Sequence, residues 1–129
     1  MIAVDTSALM AIALGEPDCG ACMDVLEAET EVVVSAGTVA EALIVAGRRN
    51  VAEEVSTLID RLGFTIVPVS AAAARAVALA YARWGKGVHP AGLNFGDCFA
   101  YAVAKEHDCP LLYVGEDFAR TDLAGARTA

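Results

Sequence analysis

The sequence predicts an α/β fold, a three-layer α/β/α sandwich around a central, mainly parallel sheet of four to five strands. Strand-like segments alternate with helical patterns, and they are near-continuous apolar runs, which is typical of parallel strands covered on both faces. The 129 residues are 57% hydrophobic but only 6% aromatic, so we expect an aliphatic, alanine-rich core. A chain of this length makes one compact domain, placed at 1–129.

The first four elements follow from apolar runs and the residues that stop them. A strand is predicted at 1–4, and an apolar helix at 7–14 ends before Pro17, which cannot continue it. The segment 18–29 has apolar residues on one helical side and acids on the other, which predicts a second helix. Three consecutive valines at 32–34 predict a short β-branched strand.

Helical spacing of apolar residues predicts the next two helices, at 36–49 and 51–62. Gly63 ends the second of these helices. The segment 64–69 is rich in aromatic and β-branched residues and predicts a third strand. Pro68 marks the end of that strand, because proline donates no backbone hydrogen bond.

The last elements surround a glycine-containing loop. An alanine-rich helix is predicted at 70–84, followed by the loop at 85–92. A helix from near Asp97 to about residue 107 comes next, with Asn94 in position to cap its first turn. A fourth strand is predicted at 111–114, and the polar tail after it is too short for a regular fifth strand.

The charge balance limits the partners of the chain. The net charge is −8 and the pI is about 4.5, which argues against a non-specific nucleic-acid binder and against binding to an anionic membrane. An acidic enzyme pocket is still compatible with nucleic acid, because bound divalent cations invert the local field. No apolar run reaches membrane-spanning length without a charge, and the N-terminus lacks a basic leader, so we expect a cytoplasmic protein.

Four acids fall where the carboxyl ends of parallel strands meet. Asp5 follows the first strand, and Glu41 lies early in the helix after the second. Asp97 opens the helix before the fourth strand, and Asp117 follows that strand. Open parallel sheets bind ligands at this edge, and carboxylates held together repel one another unless a cation lies among them. We therefore expect a hard cation with oxygen ligands, Mg²⁺ or Mn²⁺.

Each acid also has an ordinary structural interpretation. Asp5 could cap the first helix, and Asp97 could favour the positive end of its own helix. Glu41 could close a capping box with Thr38, and Asp117 could be a turn residue beside glycine. The residue pattern alone leaves these interpretations open beside the metal-site hypothesis.

Four segments carry a family resemblance. They are Val4-Asp5-Thr6-Ser7-Ala8-Leu9, the helix with Glu41, Leu93-Asn94-Phe95-Gly96-Asp97-Cys98-Phe99-Ala100-Tyr101-Ala102, and Leu111-Leu112-Tyr113-Val114-Gly115-Glu116-Asp117-Phe118. Together they resemble a PIN-domain ribonuclease, in particular the VapC-type toxins of bacterial toxin–antitoxin pairs. The resemblance covers nearly the whole chain, which is therefore expected to be a single PIN-like nuclease domain.

This resemblance implies a set of catalytic, metal-binding carboxylates, which comprises Asp5, Glu41, Asp97 and Asp117. The cofactor would be Mg²⁺, for which Mn²⁺ can substitute, and the hydroxyl of Thr6 or Ser7 would be a supporting ligand. Glu116 stands where the family commonly has Asn, and it could compete as a ligand. Asp122 matches a further acid of the family. We expect it at most to support the metal ligands and not to bind the ion itself.

The resemblance also implies an activity and partners. The chain is expected to be a metal-dependent endoribonuclease toxin that cuts structured RNA, such as tRNA or rRNA, to 5′-phosphate and 3′-hydroxyl ends. A cognate antitoxin protein would inhibit it. A homodimer is expected because two protomers would combine their sparse basic residues. The candidates for RNA contact are Arg48, Arg49, Arg83 and Lys86.

Other interpretations stay open beside this one. A non-catalytic PIN-like module would keep the fold and bind only its partner protein. A phosphatase built on Asp5 is disfavoured, because Ser7 stands where such enzymes usually have a second acid. The segment Cys19-Gly20-Ala21-Cys22 resembles a redox dithiol but does not follow a strand directly, so we expect ordinary thiols there. His89 and His107 are expected to pack a loop and a helix end, respectively.

Overall fold

The computed structural model describes residues 1–127, and its elements follow the predicted order. The strands are β1 (Ile2–Val4), β2 (Val32–Ser35), β3 (Thr65–Val67) and β4 (Leu111–Leu112). The helices are α1 (Thr6–Ala13), α2 (Cys19–Ala28), α3 (Ala36–Arg48), α4 (Ala52–Arg61), α5 (Ala71–Trp84) and α6 (Phe95–Glu106), and a short 3₁₀ helix follows at Phe118–Arg120.

The four strands form one all-parallel sheet in the order β3-β2-β1-β4. The central strand β1 pairs with both neighbours, since Ala3 is in register with Val33 on one side and with Leu111 on the other. Every residue of β1 and β2 is buried. The predicted parallel sheet is confirmed.

Helices cover both faces of this sheet. Ile2 and Val4 of β1 pack into a core shared with α1, α2, α3 and α4, whereas Ala3 packs into a second core with α5 and α6. Small buried residues of α6, such as Ala100 and Ala104, allow this helix to approach the strands closely. The predicted three-layer α/β/α sandwich is therefore confirmed. Among residues 1–127, no helix is long and apolar enough to cross a membrane.

Both edges of the sheet are irregular, and the one beside β4 was expected to be, because the tail is too short for a regular fifth strand. The edge strand β3 ends at Val67, because Pro68 cannot donate to the strand pairing. It is also not covered on both faces, and Ile66 is 47% exposed. At the other edge, Leu111 forms a single parallel bridge with Gly125 in place of a fifth strand.

Two further boundaries are set by side-chain hydrogen bonds. Helix α6 begins at Phe95, slightly before the predicted start, because the Asn94 side chain caps it. Strand β4 stops at Leu112, although the apolar run continues. The N–H of Val114 donates instead to the hydroxyl of Ser7, at 2.9 Å. Both boundaries lie beside the predicted site.

Candidate active site

Asp5 lies at the carboxyl end of the central strand. Its N–H donates to the carbonyl of Leu112 at 3.0 Å, which places it between β1 and β4. Its carboxylate oxygen Oδ2 caps α1 by accepting from the N–H of Ser7 at 3.0 Å and from the Ser7 hydroxyl at 2.7 Å. Asp5 is only 3% exposed, and within the described residues its other oxygen, Oδ1, has no hydrogen-bond partner.

An unpartnered, buried carboxylate oxygen is unfavourable unless it is neutralised. Burial raises the pKa of Asp5 to about 7, against the hydrogen bonds from Ser7, which lower it. The negative charges of Asp97 and Glu41 raise this pKa further. Near neutral pH, Asp5 therefore requires a proton or a cation beside Oδ1.

Asp97 is placed by the first turn of α6. Its N–H donates to Oδ1 of Asn94 at 2.8 Å, and its own Oδ2 accepts from the N–H of Asn94 at 3.0 Å. These two bonds form a capping box. Burial raises the pKa of Asp97 against the bond from Asn94, and the charges of Glu41 and Asp117 add to the rise.

Glu41 reaches the same corner from α3. The hydroxyl of Thr6 donates to its Oε1 at 2.6 Å. The Glu41 carboxylate also lies directly against Gly96, where an added Cβ would overlap it. The alternative capping box with Thr38 does not form, because Ser35 is the residue that caps α3. Glu41 is therefore oriented by contacts outside its own helix.

Asp117 and Glu116 follow β4 and are both exposed. Asp117 precedes the 3₁₀ helix and makes no capping hydrogen bond with its side chain. Its charge contributes to the raised pKa of Asp97, so it belongs to the same edge of the sheet. Glu116 is not among the charges that raise the pKa of Asp5 or Asp97.

The fold thus brings the predicted acids to one edge, but it does not preassemble a metal cage. Within 1–127, no three Asp, Glu, His or Cys side chains are arranged closely enough to hold an ion as they stand. Glu41 is held by Thr6, and one oxygen of Asp97 is held by its capping box. The donor set still fits Mg²⁺ or Mn²⁺, because all its members are carboxylates and the buried Oδ1 of Asp5 has no other partner.

Comparison with known proteins identifies the family. The family model described as PIN domain matches residues 2–123. The chain belongs to the PIN-domain family. Ribonuclease VapC of Mycolicibacterium smegmatis is 41% identical over 124 residues, which cover 94% of this PIN domain and 96% of the relative. The predicted likeness to VapC-type PIN proteins is confirmed.

Solved PIN-domain structures share the fold at low sequence identity. The crystal structure of VapC20 from Mycobacterium tuberculosis, described as a sarcin–ricin loop cleaving toxin, has a TM-score of 0.82 at 18% identity and covers 99% of this chain and 100% of its own. A toxin–antitoxin complex from Klebsiella pneumoniae has a TM-score of 0.72 at 19% identity, with 95% and 93% coverage. These structures support the PIN fold described above.

Two hydroxyls orient the acids of this PIN domain. Thr6 and Ser7, predicted as supporting ligands, donate to Glu41 and Asp5, respectively. The Ser7 hydroxyl also accepts from the N–H of Val114, so it ties the segment after β4 to the same corner. In the structure, both hydroxyls hold carboxylates in place.

Gly96 belongs to the PIN-domain site, although the sequence pattern predicted no role for it. Only a residue without a side chain lets the first turn of α6 approach the Glu41 carboxylate. The one signal in the sequence is a glycine within the first turn of a helix, directly before Asp97, where glycine lowers helix stability.

Asp122 lies in a different network of the PIN domain. Its carboxylate accepts from the hydroxyl of Tyr101 at 2.6 Å and from Nζ of Lys105 at 3.1 Å. Nε1 of Trp84 donates to the same tyrosine oxygen at 2.9 Å, and Trp84 is a core residue. Asp122 therefore connects the C-terminal segment to α5 and α6.

The remaining candidates have structural surroundings. Cys22 is buried, and burial raises the pKa of its thiol, whereas a reactive dithiol needs a lowered pKa. The ring of His107 contacts a backbone carbonyl at the end of α6, at 2.9 Å. His89 packs against Trp84 and accepts from the N–H of Ala91 at 3.0 Å. These contacts match the expected packing roles of the two histidines.

We expect the metal-free PIN domain to be more stable at pH 5 than at pH 8. The pKa of Asp5 is about 7 in the folded chain against an ordinary value of 3.8. As the pH rises, the Asp5 carboxyl loses its proton at a lower pH in the unfolded chain than in the folded chain. The free energy of unfolding therefore falls as the pH rises from 3.8 to about 7. Between pH 5 and pH 8 the loss amounts to about 3 kcal/mol, because the folded pKa lies about two units above pH 5. Urea unfolding in EDTA measures it, and Asp5→Asn is expected to flatten the pH dependence. An unchanged dependence in that variant would contradict the assignment.

Proposed function

We propose that this chain is a metal-dependent endoribonuclease toxin that cuts structured RNA and is inhibited by a cognate antitoxin. The observation that carries the proposal is the cluster of Asp5, Glu41 and Asp97, whose charges act on one another at the carboxyl edge of the sheet. The proposal is supported by relatives that are named ribonucleases. A cytoplasmic location follows from it, because RNA is made and used there.

In this proposal, Asp5, Glu41 and Asp97 hold the cation, and Asp117 completes the site. When bound, Mg²⁺ or Mn²⁺ lowers the pKa of a water molecule and neutralises charge on the scissile phosphate. Attack of water on the phosphorus, with the 3′ oxygen as the leaving group that takes up a proton, would leave a 5′-phosphate and a 3′-hydroxyl. No histidine is required as a base in this chemistry.

The chain itself contributes the orientation of the ligands. Each carboxylate is held by a neighbouring donor: Asp5 by Ser7, Glu41 by Thr6, and Asp97 by Asn94. These donors fix the orientation of each side chain, but among residues 1–127 no three acids lie within reach of one ion as they stand, so binding of the cation has to draw the carboxylates together. Burial also excludes water from Oδ1 of Asp5, which strengthens its interaction with a cation.

RNA recognition has to work against an acidic surface. Arg48, Arg49, Arg83 and Lys86 are all exposed, but Arg83 also lies 3.8 Å from the carboxylate of Asp122. So few basic residues give weak and salt-sensitive affinity for phosphates. We therefore propose that the substrate is a folded RNA with unpaired loop nucleotides, such as tRNA or rRNA. A homodimer, which we also propose, would double the basic residues available.

An apolar groove between α2 and α4 suits the proposed antitoxin. The apolar residues lining it include Ile12, Ala13, Met23, Leu58 and Leu62. Three acids, Glu27, Glu53 and Glu54, lie beside them and outnumber the single base in the described lining, Arg61. An apolar surface with acids beside it fits an amphipathic helix that carries Lys or Arg. A further arginine of that partner could pair with the site carboxylates and block them.

The test is incubation of the purified protein with bulk tRNA and rRNA in Mg²⁺, in Mn²⁺ and in EDTA. We expect cleavage at defined positions with either metal and none in EDTA or with Asp5→Ala. The new ends should ligate directly through their 5′-phosphates. Undiminished cleavage in EDTA, or cyclic phosphate ends, would contradict the proposal. The non-catalytic alternative predicts that no RNA is cut in any buffer.

A further inference from the structure

Phe95 is an exposed aromatic residue beside the proposed active site. It is the first residue of α6, yet it is 69% exposed. The next residue, Gly96, lies against the carboxylate of Glu41. Phenylalanine is among the residue types that are most often buried, so the packing of the domain does not account for this position.

The ring of Phe95 belongs to a groove that is continuous with the acids. An apolar groove of about 340 Å³ lies between α3 and α6. Its lining includes Phe95, Phe99 and Ile44, and Ile44 is itself 60% exposed. Glu41 lines the same groove. An occupant of this groove therefore touches the proposed catalytic edge.

Phe95 is also positioned by its neighbours. Its ring meets the ring of Phe99 edge to face, with centroids 5.0 Å apart and an interplanar angle of 80°. Phe99 in turn packs so closely on Gly37 of α3 that an added Cβ would overlap it. This arrangement restricts the Phe95 ring while it leaves most of its surface accessible.

We propose that Phe95 is a stacking platform for an unpaired nucleobase of the RNA substrate, next to the phosphate that is cut. This inference rests on the proposed ribonuclease function. Stacking on an aromatic ring is the common way in which proteins hold the splayed bases of RNA loops. An uncharged platform supplies affinity that the few basic residues do not. Because Glu41 lines the same groove, a base held on the Phe95 ring would lie beside the acids proposed to hold the cation.

The test compares Phe95→Leu with Phe95→Tyr, because leucine keeps the apolar character and tyrosine keeps the ring. Leu79→Ala is the matched control, since Leu79 is 71% exposed but lies on α5, outside the groove. Cleavage of bulk tRNA and rRNA is followed at increasing RNA concentration. We expect Phe95→Leu to raise the apparent KM by roughly 5- to 100-fold, the range of one lost stacking contact. Phe95→Tyr, which keeps a ring that can stack, should lose clearly less than Phe95→Leu, and Leu79→Ala should cut RNA as the wild type does.

Light scattering on the free proteins completes the test. All variants should keep the molar mass of the wild type. A change of molar mass in Phe95→Leu would assign the groove to a second copy of the chain and overturn the stacking proposal. An unchanged KM in Phe95→Leu, or equal losses in Phe95→Leu and Phe95→Tyr, would also overturn it and leave the ribonuclease function standing. If the wild type cuts neither RNA, the proposed function fails, and the stacking role fails with it.

Discussion

Replacement of Asp97 by asparagine is expected to lower the rate of RNA cleavage by roughly a thousandfold or more, as for residues that act as one catalytic unit. The asparagine side chain keeps an oxygen that can accept from the N–H of Asn94, a bond of 3.0 Å in the structure. The capping box therefore survives, and the variant loses only the negative charge. Initial rates on bulk tRNA and rRNA in Mg²⁺ measure the effect.

Asp108→Asn is the matched control for this variant. It makes the same change of charge just beyond the other end of α6, and the residue has a φ of 48°, which asparagine tolerates well. We expect Asp108→Asn to cut RNA at the wild-type rate. If Asp97→Asn also retains the full rate and the same melting temperature, Asp97 is not a ligand and the assigned site is wrong.

The second large effect is expected from Gly96→Ala. A methyl group at this position would overlap the carboxylate of Glu41, so either Glu41 or the first turn of α6 must move. Displacement of a catalytic group by about 1 Å can cost on the order of a hundredfold in rate, and we expect a loss of this size. Overpacking should also lower the free energy of unfolding by about 1–3 kcal/mol.

Gly47→Ala separates this contact from the general effect of removing a helical glycine. Gly47 lies near the end of α3, and an added Cβ there would meet nothing within 4 Å. This variant should be more stable by about 0.5–1 kcal/mol and fully active. Wild-type activity in Gly96→Ala, measured in the same assay, would show that the observed position of Glu41 is not needed for cleavage.

The layered fold could be predicted from the sequence because the patterns that indicate its strands and helices are local and agree with one another. Three valines predict the buried strand β2, and helical spacing predicts α3 and α4 on either side of a short connection. The end of β4 could not be predicted from a local pattern. Val114 donates to Ser7, which is 107 residues away in the chain, and no local pattern reports such a contact.

The acids themselves were predicted, but the use of each oxygen atom was not. The sequence pattern leaves two interpretations open for each residue: a helix cap or a metal ligand for Asp5, and a charge favoured at the helix start or a metal ligand for Asp97. In the structure, Oδ2 of Asp5 caps α1, and Oδ2 of Asp97 completes the capping box of Asn94. Oδ1 of Asp5 is buried and makes no hydrogen bond among the described residues, so it is the oxygen of this carboxylate left for a cation. A sequence motif identifies the side chain, whereas the packing around it decides which oxygen is engaged.

The contribution of Gly96 depends on tertiary structure in the same way. A glycine in the first turn of a helix suggests only weaker helix formation. The tertiary structure explains the glycine, because α3 places the Glu41 carboxylate where a Cβ at residue 96 would lie. Residues that act by leaving room for another side chain carry no chemical signature, so they are found only after the elements have been placed.

Crystals grown with Mn²⁺ and measured at the manganese absorption edge test most directly whether Asp5, Glu41 and Asp97 share one cation. We expect an anomalous peak within coordination distance of Oδ1 of Asp5 and of a carboxylate oxygen of Asp97, with Glu41 bound directly or through water. A manganese peak held by other residues, or none at this edge of the sheet, would contradict the assignment of these acids as a metal site.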